Sequence, residues 1–356
     1  MNFVHQTFPQ RVLFGAGRRR SVADEAARAK VTRALVIATS PNRSAEVETL
    51  LGTACAAVFA GARMHTPVET TDEAMTSVSG KAIDGLVAIG GGSAIGLAKA
   101  IALRTDLPQI VLPTTYAGSE MTDVLGETTK GLKQTRRDPR ILPEVVIYDA
   151  ELTMTLPSQV SVTSGINAIA HGVEALYARD TNPLVQLTAE EGITALGQAL
   201  PAIVQSPGDA IARERGLYGA WLCGSVLGAT SMALHHKLCH VLGGTFGLPH
   251  SETHAVLLPH VVAFNAPAAP EAIQRTARAL GAADPAAALF DLLTSSGVPS
   301  ALRTLGLQEE SLVRAVDVAL AQPYWNPRPL ERDGILALLN DAWQGRRPHV
   351  SSMASH

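Results

Sequence analysis

Six side chains in the second half of the chain have the types and spacing of a reaction centre: Asn167, His171, His236, His240, His250 and His254. Asn167 and His171 stand four apart in the helical stretch from Val160 to Ala178, so both project from one face, and His236 and His240 repeat that interval in a second helical run. The segment Gly247-Leu248-Pro249-His250 returns a further histidine from a turn. One histidine on an apolar helix is usually a satisfied core residue, whereas several in one short window at helical spacing are difficult to explain by packing alone. Neutral imidazoles with an open position suit a divalent cation that polarises a carbonyl oxygen. A carboxylate normally adds charge neutralisation to such a set, and Asn167 brings only an amide oxygen. Affinity for a divalent cation is therefore expected to drop, and the same groups without a cation offer hydrogen-bond donors to an oxyanion.

A second constellation lies in the first half. The apolar run Gly85–Ile89 feeds Gly90-Gly91-Gly92-Ser93, after which Ala94 to Ala102 reads as a helix. Glycines let the main chain approach a pyrophosphate, and free amides with the helix dipole favour its negative charge. The next run ends in Pro113-Thr114-Thr115-Tyr116-Ala117-Gly118-Ser119-Glu120, placing hydroxyls at the same carboxyl edge of a sheet, where such folds bind nucleotides. A glycine turn is also an ordinary tight turn, and Thr114 and Thr115 are also simple strand-end caps. The earlier run ends at Ala38-Thr39-Ser40-Pro41-Asn42-Arg43, with no acidic side chain for an adenosine ribose. Thr39 and Arg43 would not repel a 2′-phosphate, so NADH and NADPH are both expected to be accepted; Arg43 serves equally as a solvated charge.

Positioning these residues takes two kinds of element. Ala34–Ala38, Gly85–Ile89, Gln109–Leu112 and Val145–Tyr148 are short, nearly continuous apolar runs separated by helical stretches, which predicts a parallel sheet covered on both faces. After Leu156-Pro157 the rhythm changes to alanine- and leucine-rich amphipathic segments, punctuated by Asn182-Pro183, Ser206-Pro207-Gly208 and Gly297-Val298-Pro299. The 356 residues are accordingly read as an α/β nucleotide-binding domain over 1–157, an all-helical catalytic domain over 158–350 and a fraying tail over 351–356. A net charge of -3 carries no basic bias, so no nucleic-acid partner is expected. Three separated cysteines and a start without a basic-then-apolar leader predict a reducing, cytoplasmic setting. The uncharged stretch from Gly216 to Leu234 contains several small residues and runs into the histidine cluster, so it is expected to be a close-packed buried helix rather than a membrane span.

The glycine-serine turn, Pro113-Thr114-Thr115, His236 with His240, His250 and Leu258-Pro259-His260 resemble the iron-containing alcohol dehydrogenase superfamily over nearly the whole chain. Within it, Pro113–Thr122, His235–Gly244, Pro249–Ala255 and Asn326-Pro327-Arg328-Pro329 look like the maleylacetate reductases. The resemblance implies a dehydroquinate synthase-like architecture: a Rossmann-like parallel sheet domain, an all-α domain and a homodimer. It also implies NAD(P)H-dependent reduction of maleylacetate, and of its chlorinated forms, to 3-oxoadipate in aromatic degradation. Carried over by position, Asn167, His171, His236 and His250 occupy the superfamily's metal positions and His240 that of its additional active-site histidine. Gly91, Gly92, Ser93, Thr114, Thr115 and Lys133 match its nucleotide contacts, with Ser119 and Thr39 beside them. Asn167 and Gly96 each stand where the superfamily has an aspartate; maleylacetate reductases look similar at both places and are regarded as needing no metal.

Such a substrate is an enone flanked by two carboxylates. Hydride is expected at the carbon β to the ketone, with His171, His236 and His250 donating to the enolate oxygen, directly or through a water, and His240 or His254 delivering the proton. Lys237, Arg328 and Tyr116 are the candidate contacts for the small dicarboxylate. Two rivals remain: an iron- or zinc-dependent alcohol dehydrogenase of the same architecture, and a non-catalytic nucleotide sensor.

Overall fold

The apolar runs become strands because each is flanked by helices that cover both of its faces. In the computed structural model the described residues are 3–129 and 132–350, with the side chains of Leu132 and Lys133 outside them. The chain runs β1 (Arg11–Phe14), α1 (Val22–Arg28), β2 (Ala34–Ile37), α2 (Pro41–Leu51), β3 (Cys55–Phe59), α3 (Val68–Ser77) and β4 (Gly85–Gly90). It continues through α4 (Gly92–Thr105), β5 (Gln109–Pro113), β6 (Val124–Thr129), β7 (Leu132–Arg137) and β8 (Val145–Tyr148). Six strands form one sheet in the order β1-β8-β5-β4-β2-β3, and every neighbouring pair is parallel. Alternate side chains face opposite cores. Val36, Val87, Ile110 and Ile147 pack with Val22 and Val47 of α1 and α2. Leu35, Ile37, Leu86 and Val111 pack with Ala74, Ile95 and Ile101 of α3 and α4.

The four strands expected from sequence are all present. β1 and β3 were not anticipated: β1 is only partly buried, and β3 has a single buried residue, Ala57, so neither carries the continuous apolar run of a central strand. The antiparallel pair β6–β7 was not anticipated either, since Leu132-Lys133-Gln134-Thr135-Arg136-Arg137 is strongly polar and is held by backbone pairing such as Thr128 with Lys133.

Of the described residues, Thr7–Leu156 form one compact unit, and those before Thr7 and after Leu156 form the other. The second unit is helical: α5 (Ser158–Leu176), α6 (Pro183–Gln205), α7 (Ala210–Ala229), α8 (Leu234–Phe246), α9 (His250–Asn265), α10 (Pro270–Leu280), α11 (Pro285–Ser295), α12 (Ser311–Leu320) and α13 (Arg332–Gln344). Its centre is α5, where every residue from Ser161 to Leu176 is buried. Burying each Ile, Val or Leu there contributes roughly 1.5–3 kcal/mol.

The uncharged stretch from Gly216 to Leu234 is not one helix. α7 ends at Ala229 and α8 starts at Leu234 after a bend of 95°, and among the described residues no single helix is long and apolar enough to cross a membrane. Close packing does explain its small residues. A Cβ on Gly219 would lie 2.8 Å from the carbonyl oxygen of Gly192, so α6 and α7 touch backbone to backbone. The expected tail, 351–356, lies outside the described residues.

Candidate active site

The sheet unit offers a nucleotide cradle. β2, β4 and β5 are neighbours, so Thr39, Gly91 and Thr114 follow three adjacent strand ends on one edge. β3 lies beyond β2 and β5 beyond β4, so the strand order reverses between β2 and β4, the point outside which such sheets take ligands. Gly90 ends β4 with φ 151°, Gly91 is the extended cap, and α4 begins at Gly92, two residues before the expected Ala94. Gly92 and Ser93 therefore lie in the first turn, where amides have no partner inside the helix. A Cβ on Gly91 would come within 2.8 Å of Thr115 Cγ2, whereas one on Gly92 would meet no atom within 4 Å. The glycine turn is thus closed towards Thr115 and open at the helix start.

Beyond β5, the buried Ser119 Oγ has no hydrogen-bond partner, and the loop that carries it is held by a residue the sequence reading passed over. Lys99 of α4 is fully buried and its Nζ donates to Ser119 O at 2.6 Å, Thr122 O at 2.7 Å, Thr122 Oγ1 at 3.0 Å and Val124 O at 3.0 Å. Burial pulls its pKa down to about 7 against the opposing pull of Glu120 and Asp123. Unpartnered amides at a helix start, an open glycine and an orphaned hydroxyl fit a dinucleotide. Thr39 and Arg43 are exposed, Thr114 is buried and Thr115 half-buried. Tyr116, expected at the substrate, is instead fully buried with its hydroxyl 3.5 Å from Thr153 Oγ1. The side chain of Lys133 lies outside the described residues.

The helical unit holds the histidines. α5 carries Asn167 and His171, α8 carries His236 and His240, and α9 carries His250 and His254. The ring centroids of His236 and His254 are 5.2 Å apart, those of His250 and His254 4.5 Å, and those of His236 and His240 6.4 Å. Asn167, His171, His236 and His254 are buried, His250 is half-buried, and His240 is exposed. His171 Nδ1 lies 2.9 Å from His236 Nε2, so two rings expected to donate to a substrate oxygen are bonded to each other. His235, named in the sequence without a role, approaches His254 Nδ1 with its Nε2 at 3.0 Å. Burial first, and then the neighbouring histidines, hold the pKa values of both His235 and His254 well below the usual histidine value. Asn167 Oδ1, His235 Nδ1 and His254 Nε2 are buried without a partner.

Glu174 was also missed. It is the only Asp, Glu, Lys or Arg in α5, and that isolation was the available signal. Its Oε2 accepts from His236 Nδ1 at 2.6 Å and its side chain is wholly buried.

Asn167, His171, His236 and His250 would offer a divalent cation three imidazoles and an amide oxygen, with no anionic donor. Glu174 stands one bond behind His236, and the His171–His236 bond occupies a lone pair that a cation would need. A different trio, His235, Cys239 and His254, has its donor atoms within 4.8 Å of one another. His235 Nε2 is already spent on His254 Nδ1 and lies 3.6 Å from Cys239 Sγ. Of the expected substrate contacts, Lys237 is half-buried with Nζ 5.4 Å from the Tyr324 ring centre. Arg328 stacks 4.2 Å over the Phe264 ring and donates Nη1 to Phe264 O at 2.8 Å, so part of that guanidinium serves the fold.

The family model described as iron-containing alcohol dehydrogenase matches residues 9–150, and that described as the C-terminal part of the Fe-containing alcohol dehydrogenase family matches 161–343. A maleylacetate reductase of Sphingobium indicum is 51% identical, covering 98% of this chain and 99% of its own length. The crystal structure of a maleylacetate reductase from Agrobacterium tumefaciens is 52% identical with TM-score 0.92, covering 98% of this chain and 100% of that one. A protein described as an alcohol dehydrogenase from Ralstonia eutropha is 54% identical with TM-score 0.95, covering 98% and 99%. With each half matched by its own model of the family and about half the residues shared end to end, the chain belongs to the iron-containing alcohol dehydrogenase family.

Proposed function

We propose that this chain reduces the carbon–carbon double bond of maleylacetate, and of its chlorinated forms, to 3-oxoadipate in aromatic degradation, with NADH or NADPH as coenzyme. The observation that carries the reading is 51% identity to a maleylacetate reductase over 98% of the chain. The absence of a charged donor among Asn167, His171, His236 and His250 supports it, because a metal-dependent alcohol dehydrogenase depends on a well-held cation. When bound, a reduced nicotinamide supplies the hydride. Gly91, Gly92, Ser93, Thr114, Thr115 and Ser119 hold the dinucleotide, and Thr39 with Arg43 leaves room for either coenzyme.

Hydride addition β to the ketone leaves charge on the enolate oxygen, and the tautomers of the buried rings select its donor. In this reading the proton of neutral His235 sits on Nε2 and is donated to His254 Nδ1 at 3.0 Å. One proton per neutral ring then places that of His254 on Nε2, the atom without a protein partner, as a donor to the enolate. His250 stands beside it as the second donor. His240, exposed beside His236, brings the proton from solvent to the carbon next to the carbonyl. Lys237 binds a substrate carboxylate. The same reading includes a homodimer and a cytoplasmic setting.

The test is oxidation of NADH and of NADPH by the purified protein with maleylacetate, with and without a chelator. Turnover with both coenzymes, unchanged by chelation, is the expected outcome. Absence of turnover, or chelator-sensitive oxidation of a simple alcohol by protein holding stoichiometric metal, would overturn the proposal.

A further inference from the structure

A carboxylate buried without partners costs several kcal/mol, so Glu174 must be satisfied, and the manner of its satisfaction reaches into the site. Its Oε1 accepts from the amide of His235 at 2.8 Å, while Oε2 accepts from the amide of Ala233 at 3.0 Å and from His236 Nδ1 at 2.6 Å. The first two bonds lie at the start of α8, whose cap residue Ala233 has no side chain able to do this. Glu174 supplies that cap from another helix and sets a negative charge at the positive end of the α8 dipole. α8 begins where it does, with His236 one turn in, because a carboxylate of α5 waits there.

The third bond is directional. An ionised carboxylate only accepts, so His236 Nδ1 carries the hydrogen, and with the ring neutral His236 Nε2 is bare. That nitrogen faces His171 Nδ1 at 2.9 Å, so His171 donates from Nδ1 and, with its ring neutral, carries no hydrogen on Nε2. We infer that Glu174 is a positioning residue that orders the hydrogen-bond chain His171 to His236 to Glu174, making these two imidazoles acceptors and leaving donation to the enolate to His254 and His250. The cluster is thereby divided into an accepting half anchored on α5 and a donating half on α9. For its kinetic consequence this rests on the proposed reduction of maleylacetate; for its structural content it does not.

All three partners of Glu174 are N–H donors, so a glutamine in its place must set its own N–H against one of them whichever way it turns. The experiment uses full-length protein labelled with nitrogen-15 in histidine, with His236 assigned by substitution and its ring nitrogens read by long-range proton–nitrogen correlation at pH 8. Wild-type protein is expected to show a protonated Nδ1 and a bare Nε2 at His236. Glu174→Gln is expected to lower kcat for maleylacetate about 10- to 100-fold, as loss of the group orienting a functional histidine does, with KM changed far less. A merely structural cap would leave kcat per folded molecule unchanged.

A wild-type His236 protonated at Nε2 and bare at Nδ1 overturns the inference, as does a folded Glu174→Gln with kcat within about twofold of wild type. Should that variant not fold, the wild-type spectrum decides by itself. Should the wild type fail to turn over maleylacetate, the functional reading falls and the tautomer still decides this one.

Discussion

At the scale of single residues, the identity of the atom at a ring position matters more than the presence of the ring. Asn167, His171, His236 and His250 could each be picked out by type and interval, yet the partner each ring nitrogen meets is set by residues outside those intervals: Glu174 behind His236 and His235 behind His254. His254→Ala removes the donor at the unpartnered Nε2 and is expected to lower kcat on the order of 10²-fold or more while leaving KM for the coenzyme unchanged, the size typical of one lost oxyanion donor. Steady-state kinetics on folded variant checks this; kcat within a few-fold of wild type would remove His254 from the reaction.

Elements act through where they begin and what they press against. α4 starts at Gly92 because Gly90 and Gly91 turn the chain out of β4, and its second turn is shaped by a contact no local pattern reveals. Thr66, buried and at a positive φ of 46°, places its Oγ1 2.3 Å from where a Cβ on Gly96 would stand. The missing aspartate at this place is therefore tied to the loop between β3 and α3. Gly96→Ala is expected to destabilise by about 1–3 kcal/mol as overpacking does, because the stiff threonine cannot yield freely. Thr66→Ala combined with Gly96→Ala should recover most of that loss. Urea midpoints for the two single variants and the double give the coupling, and strict additivity would show that the contact is not the cause.

For the molecule as a whole, the helical unit carries a stability term set by acid. His260 of α9 is buried, lies edge-on to Phe290 and has its pKa pushed from 6.5 down to about 4, by burial first and against the pull of Asp341. Because the folded value lies below the unfolded one, the unfolded chain takes up the proton first. The stabilisation is complete above about pH 6.5 and is lost as pH falls towards 4, amounting to about 3 kcal/mol over that window. His260→Gln should flatten the fall in urea midpoint between pH 6.5 and 4; an unchanged slope would show that other groups govern acid unfolding.

The sequence by itself determined the fold class, the four buried strands to within a residue at each end, and the family, because apolar periodicity and motif spacing are local properties. It also placed His171, His236 and His240 on helices, while His250, read as returning from a turn, is the first residue of α9. Tertiary structure alone decided that Gly216–Leu234 bends between α7 and α8, that Tyr116 is buried against Thr153, that Arg328 is partly spent on Phe264, that Glu174 binds the start of α8, and that Lys99 holds the loop after β5. Each of those outcomes depends on a partner distant in the chain, 59 to 62 residues away for the three bonds of Glu174. A buried charge does not announce its partners in sequence; the cost of leaving it unpaired forces them to be there once the helices have packed.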